Sequence, residues 1–520
     1  MATLWTIVQV ILFIIAHTNG YCYYKRELRS EYGPDYFNCN YCNVTQKNGE
    51  WTVEGLNSYS FGDPYRNIII ISMQNLKFSD FTLQTVITDD IAFNFGIVEL
   101  IIEDSQIDRI VNFAFPKQKS SEYGTWDVKY RFVSFKNNNI STIEENAFNN
   151  FKSDTKVSFS NNVIGNKIGT ITSLSILVSV TSLDLSNNNL TSISNELFTA
   201  NKNFQYLNLS NSQIKHIVPN AFIYLSKLEV LDLSMNMLLN VHQCDLLNLK
   251  DTSYIFHNLS ALHTLILFGN NISNFDNALG YLPLLQKLDL SHQNFSSLSN
   301  KMFPEISAIK YLNISNNQIN QINPNTFVNM QNLEHLDLSH NQIKNMHIAS
   351  LHGLSNLQSL NLSYNHYTID KYLIFNTPQL SFLDISYNNV SDIDVTLFKG
   401  SHLSSINIDG MQLSCIRLVE IVKYFKTLNI NCVAGKEQNR LHLFGMHCNH
   451  SDVIESTTMQ NVIESTNIPN SDIQLSNNKI LSEMLNVLNH MNNINLNANL
   501  TQGVNIQLSN NNILSEVLNG

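Results

Sequence analysis

Leu183-Asp184-Leu185-Ser186-Asn187-Asn188-Asn189-Leu190 is an apolar–polar–apolar triplet, a serine, and an amide-rich bend that closes on leucine. It returns as Leu207-Asn208-Leu209-Ser210-Asn211-Ser212-Gln213-Ile214, and again as Leu231-Asp232-Leu233-Ser234-Met235-Asn236-Met237-Leu238. The interval is about 24 residues, and a self-similar period of that length marks a solenoid. Downstream the same frame fits Leu265, Leu288, Leu312, Leu336, Leu360, Leu383 and Ile406; upstream it is degenerate but readable at Ile69, Leu100, Val133 and Val157. The array therefore covers roughly residues 63–413 in about fourteen turns. Each Leu-x-Leu is expected to be a short strand whose leucines point inward and stack on the next turn. The following amide, at Asn138, Asn162, Asn188, Asn236, Asn270, Asn317, Asn341, Asn365 and Asn388, falls where the chain leaves the strand. A side-chain amide both donates and accepts, so these residues can satisfy backbone groups of adjacent turns. Phe148, Phe198, Phe222, Phe303, Phe327 and Phe398 recur on the return path and are expected to fill the wider convex side. The fold class is an α/β repeat solenoid with a parallel concave sheet.

Two features interrupt the period. About ten extra residues lie between Leu231 and Leu265, around Cys244, and the early turns at Ile69 and Leu100 are long. Insertions of this kind map to loops. An open solenoid also exposes apolar core at both ends and needs caps. Six of the seven cysteines cluster where caps belong: Cys22, Cys39 and Cys42 before the array, Cys415, Cys432 and Cys448 after it. Residues 21–62 and 414–448 are read as the caps, with a helix beginning at Cys415. Beyond them, residues 449–520 form an Asn-rich tail with internal duplication: Val453-Ile454-Glu455-Ser456-Thr457 recurs from Val462, and Ile473-Gln474-Leu475-Ser476 recurs from Ile506. Its apolar stripe at Ile480, Leu481, Met484, Leu485 and Leu488 has helical spacing, but short isolated helices are marginal in water, so the tail is expected to be mostly disordered.

Leu4 to Ala16 is an apolar run followed by small Gly20, the pattern of a signal peptide over residues 1–20. No other window approaches the ~20 apolar residues of a membrane span. N-x-[ST] sequons occur at Asn43, Asn139, Asn189, Asn208, Asn258, Asn271, Asn294, Asn313, Asn361, Asn389, Asn449 and Asn499, as expected for an exported glycoprotein. In that setting the cysteines read as disulfides. Cys39 and Cys42 have C-x2-C spacing without a second ligand pair, so no metal is expected. Seven is an odd number, which leaves a thiol free or joined to another chain. Cys22 pairs with Cys39 or Cys42, and the rest stay open.

These motifs resemble the extracellular leucine-rich repeat family, and the resemblance implies a leucine-rich repeat horseshoe with an irregular convex side and disulfide-stabilised caps. Phe444-Gly445-Met446-His447-Cys448 resembles the closing cysteine of caps in secreted insect leucine-rich repeat proteins, which implies a Cys415–Cys448 bridge. Within that group the chain is similar, more loosely, to the mosquito leucine-rich repeat immune proteins, which implies innate immunity. It departs from them in lacking a long charged heptad coiled coil after the cap.

Function follows from what is absent and what is displayed. No G-x-S-x-G, H-E-x-x-H, P-loop or dinucleotide fingerprint is present, and neither enzymatic activity nor a cofactor is expected. The net charge of -11 argues against a nucleic-acid partner. Residues that alternate with the leucines point out of the concave face. Within Leu-x-Leu they form an acid–amide row: Asp184, Asn208, Asp232, Ile266, Asp289, Asn313, Asp337, Asn361 and Asp384. Aromatic residues flank it, with Tyr311, His335 and Phe382 before the triplet and His340, Tyr364 and Tyr387 after it. Aromatic residues are enriched in contact surfaces, so these six are expected to make one patch that binds an extracellular protein or glycan. A structural or adhesive matrix protein and a soluble relative of Toll-like ectodomains are the alternatives; oligomerisation would run through an unpaired cysteine or the tail.

Overall fold

The structure is a computed structural model. It describes residues 97–112, 114–115, 129–144, 146–148, 151, 154–165, 177–239, 241, 255–256, 258–279, 282–303 and 306–433, together with strands at 23–26, 35–39, 43–47, 50–54, 68–74, 77–81, 442–443 and 446–447. The signal segment, the side chains of Cys22, Cys39, Cys42, Cys244, Cys415 and Cys448, the side chain of Asn43, and the tail with Asn449 and Asn499 lie outside the described residues.

Among the described residues, seventeen strands form one sheet. Tyr23–Arg26 pairs antiparallel with Asp35–Cys39, which pairs parallel with Ile68–Gln74. From there each strand pairs in parallel with the next in the chain: Ile97–Glu103, Lys129–Ser134, Thr155–Ser158, Val180–Asp184, Tyr206–Asn208 and Val230–Asp232. Thr264–Ile266, Lys287–Asp289, Tyr311–Asn313, His335–Asp337, Ser359–Asn361, Phe382–Asp384 and Ser405–Asn407 continue it. From Leu100 onward the register matches the frame read from sequence: Leu100, Val133, Val157, Leu183, Leu207, Leu231, Leu265, Leu288, Leu312, Leu336, Leu360, Leu383 and Ile406 stand side by side and are buried. In the turn before them Ile71 stands beside Leu100, where the degenerate pattern pointed to Ile69, a shift of two residues that keeps the strand's alternation. Burying one such side chain is worth roughly 1.5–3 kcal/mol, and no turn could do so alone. The extra residues after Leu231 leave the sheet unbroken, because Val230–Asp232 pairs directly with Thr264–Ile266.

The amides after the strands act as expected. Asn188 Nδ2 donates to Leu185 O of its own turn at 3.0 Å and to Phe159 O of the preceding one at 2.9 Å. Its Oδ1 accepts from Ile164 N at 3.0 Å. Asn162, Asn236, Asn317, Asn341, Asn365 and Asn388 repeat the arrangement. Where Ser212 stands instead, its hydroxyl donates to Leu185 O, and Asn236 Oδ1 accepts from both Ser212 N and Ile214 N.

The convex side is irregular. It holds a three-stranded parallel sheet (Lys77–Phe81, Gln106–Ile110, Thr142–Ile143) and short pairs such as Ser192–Ile193 with His216–Ile217. The phenylalanines of the return path are buried, and neighbours stack, as Phe198 on Phe222 and Phe303 on Phe327. Phe115, Phe151 and Phe256, outside the periodic set, are buried with them.

At the C-terminal end the periodic frame runs on beyond residue 413. Helix Cys415–Thr427, whose Arg417 N donates to Ser414 Oγ, serves as the convex side of one further turn. Its Leu418, Ile421 and Phe425 are fully buried. The chain then returns through strand Asn431–Val433, where Cys432 stands in register with Ile406. Cys432 is free and half-buried, and burial pushes its thiol up to about 11. It occupies a core position of the repeat.

Candidate binding surface

The residue between the two leucines of each triplet is partly buried and tied to its own turn. Asp184, Asn208, Asp232, Asp289, Asn313, Asp337, Asn361 and Asp384 each accept, through Oδ1, the backbone N–H two residues on, at 2.8–3.0 Å. Neighbouring turns also join: Asn313 donates to Asp289 at 3.3 Å, Asn361 to Asp337 at 3.2 Å, and Asn407 to Asp384 at 2.9 Å. The row is a framework that brackets the strand exits, with aromatic residues at both its ends.

Five of those six aromatics form two stacks where the sequence suggests one patch, and Phe382 belongs to neither. Before the triplet, Tyr311 and His335 lie parallel with centroids 4.6 Å apart. Ser359 comes next in that column, so the stack ends there, and Phe382 stands between Ser359 and Ser405. After the triplet, His340 stacks on Tyr364 at 4.1 Å and Tyr364 on Tyr387 at 4.4 Å, within 11° of parallel. Stacking follows a column, and residues before and after the strand belong to different columns. Tyr311 and Tyr364 are exposed large side chains.

The second column has a backbone property that sequence did not disclose. In the described turns from Asn137 to Tyr387 the residue before the buried polar position has positive φ: Asn137, Asn161, Asn187, Asn211, Met235, Gly269, His292, Asn316, His340, Tyr364 and Tyr387 lie between 49° and 68°. Asn and Gly take this left-handed conformation readily, while bulky side chains do so at a cost. In the early turns the column is an amide ladder, with Asn161 Nδ2 donating to Asn137 Oδ1 at 2.6 Å. In the late turns His and Tyr replace Asn, and ring stacking replaces hydrogen bonding. The ladder ends on Gly410, where a Cβ would meet the Tyr387 ring at 2.4 Å.

Tyr206, a further aromatic outside the six, shares the pre-strand column with Tyr311 and is 36% exposed. Burial raises its hydroxyl pKa, and Asp184 and Asp232 add to the effect. Its position immediately before Leu207 was the available signal.

The described sequons fall in three places. Asn139, Asn189, Asn271, Asn294 and Asn389 follow the buried amide position and are exposed, whereas Asn208, Asn313 and Asn361 belong to the acid–amide row. Asn258 is exposed, and its amide donates to Ile223 O at 2.8 Å. On the strand-entry side, Asn332, Glu334, Asn356, Gln358, Gln379 and Ser381 line an open groove of about 380 Å³. Among the described residues no group of three His, Cys, Asp or Glu is placed to hold a metal, and no helix is long and apolar enough to cross a membrane.

The leucine rich repeat family model matches residues 178–238, 283–343 and 307–367, which are turns of this same stack. In fold, the stack is a parallel-sheet solenoid of leucine-rich repeat type. A leucine-rich repeat protein of Leptospira interrogans is similar in structure, with a TM-score of 0.53 and 18% identity over 70% of this chain and 89% of that one. An internalin of Listeria monocytogenes matches with a TM-score of 0.42 and 21% identity, over 55% of this chain and 74% of that one. No curated protein sequence matches the chain. Leucine-rich repeat solenoids are scaffolds for protein interaction, typically without catalysis, and this one has the parallel concave sheet such scaffolds present.

Proposed function

We propose that this protein is an exported recognition scaffold that engages a protein partner with the aromatic end of its concave face. The observation that supports this reading most is the ladder of His340, Tyr364 and Tyr387. Three bulky rings occupy left-handed backbone positions where Asn serves in earlier turns. Strained residues cluster at functional sites, and exposed, rigid aromatic rings supply binding area at low entropic cost. Tyr311, His335 and Phe382 form the second arm of the contact, across the acid–amide row. Export rests on the apolar run Leu4–Ala16 and the sequons; in this reading the mature chain begins near Tyr21 and a Cys415–Cys448 bridge closes the C-terminal end. The likeness to secreted insect proteins, and a role in innate immunity, belong to the same proposal.

The test begins with the secreted protein purified from its native fluid, and with the partner that co-elutes. Tyr364→Ala/Tyr387→Ala is expected to weaken that complex by about 2 kcal/mol or more while leaving the fold intact, since neither ring belongs to the leucine core. Unchanged affinity in the double variant, with loss on deleting the loop around Cys244, would move the contact off the concave face.

A further inference from the structure

The strand-entry groove lies on three consecutive turns and repeats a two-residue unit. Asn332 and Glu334, Asn356 and Gln358, and Gln379 and Ser381 face it in turn. Its backbone is fixed: Glu334 O accepts from Gln358 N and Ser359 N, and Gln358 O accepts from Ser381 N, Phe382 N and Ser381 Oγ, all at 2.9–3.0 Å. The side chains are less engaged. Asn332 and Asn356 each spend one N–H on a backbone carbonyl, of Ser307 and Gln331, at 2.9 Å. The amides of Gln358 and Gln379 make no hydrogen bond among the described residues.

We propose that this groove binds a neutral oligosaccharide. Its charge is already balanced, because the Glu334 carboxylate is paired with Lys310 at 2.9 Å and the other five lining residues are neutral. A charged ligand therefore finds no counter-charge, and an apolar one would strand the amides without partners. Each amide donates and accepts, and so does each sugar hydroxyl, so rows of amides on successive turns match a polyhydroxylated chain. Phe382 supplies the remaining part. It directly follows Ser381, and its column neighbours on both sides are Ser359 and Ser405, so no bulky side chain of that column covers either ring face. That leaves room for a flat sugar ring on its apolar surface. Phe382 is partly exposed beside the groove; an extended peptide would use the amides too, and a neutral peptide control separates the two ligands. The site is distinct from the His340–Tyr364–Tyr387 ladder; it shares Phe382 with the second arm of the proposed protein contact, so the Gln358→Ala/Gln379→Ala variant is the one that tests it alone.

The test is calorimetric titration of the full chain with cellotetraose, chitotetraose and mannotetraose, with a sulfated tetrasaccharide and a neutral Gly-Ser peptide as controls. At least one neutral tetrasaccharide is expected to bind with a Kd on the order of 1 mM or tighter. Gln358→Ala/Gln379→Ala and Phe382→Ala should each weaken it about tenfold, a loss of roughly 1.4 kcal/mol. Tyr364→Ala should leave it unchanged. Gln358 and Gln379 are exposed, so their loss does not threaten folding. Binding of only the sulfated sugar or the peptide overturns the proposal, as does neutral-sugar binding indifferent to the groove variants, or no neutral binding at about 10 mM. None of these outcomes bears on the Tyr364 and Tyr387 contact with a protein partner.

Discussion

At single positions, the fold shows where one atom matters. Gly410 has φ of 64°, and the Tyr387 ring lies across the site of its missing Cβ, with ring carbons at 2.4–2.8 Å. Gly410→Ala therefore meets two penalties, an unfavourable left-handed alanine and a clash with a ring held by Tyr364. A loss of about 2 kcal/mol or more is expected in chemical denaturation. Adding Tyr387→Ala should recover the steric part, and strict additivity of the two changes would show that the ring is not the obstacle. Asn201 is the opposite case. It is fully buried with both amide atoms unpartnered, at the convex position that later turns fill with Leu225, Leu259, Ile306, Met330 and Leu354. Asn201→Leu should raise stability by about 1 kcal/mol or more, because a buried amide without partners carries its full desolvation penalty. A lowered melting temperature would mean that the amide is satisfied in solution.

The last helix is joined to the array by charge as well as by its apolar face. Arg417 donates to Asp392 at 2.6 Å, to Glu420 at 2.9 Å and to Ile393 O at 3.1 Å. The hydrogen bond from Arg417 holds the Asp392 carboxyl below its ordinary value. A carboxylate with a depressed folded pKa stabilises the fold above its unfolded pKa and stops doing so as pH falls through the folded one. Asp392 is 65% exposed on its side chain, so solvent screening limits the contribution to about 1 kcal/mol or less. Asp392→Asn should thus be slightly less stable than the parent at pH 7, and the difference should close as pH drops below about 3.9. A gap that persists in acid would assign the effect to packing. This junction also shows what sequence could not disclose. The helix was readable from its apolar spacing, but Asn431-Cys432-Val433 carries no Leu-x-Leu and was invisible as a strand. Only the interval from Ile406 hinted at it. The split of the aromatics into two stacks was hidden for a related reason. The pattern treats the residue before the buried amide as variable, while the turn imposes one backbone conformation on Asn, Met, His and Tyr alike. The leucine frame and the amide ladder were legible because each rests on one side chain doing the same task in turn after turn.

The molecule is a line of turns, each bound to its neighbours, and so depends on its ends. Leu418, Ile421 and Phe425 cover the last turn of the stack, where Ile406, Ile408 and Leu413 are buried. A chain ending at Leu413 should expose that layer and self-associate, as solenoids without a polar terminal unit do. Light scattering of the truncated and full-length proteins measures this, and a monodisperse truncated monomer would show that the helix is dispensable. The same linear order governs the response to force. Pulled from its two ends, a stack carries tension through every strand junction in series, so it parts at the narrowest. The junction of Ile68–Gln74 with Ile97–Glu103 is seven residues wide, whereas those from Tyr206–Asn208 to Ser405–Asn407 are three. The junction of Lys129–Ser134 with Thr155–Ser158 is already three residues wide, so under load the chain should peel turn by turn from there onward while the wider junctions before it hold, lengthening as a tether.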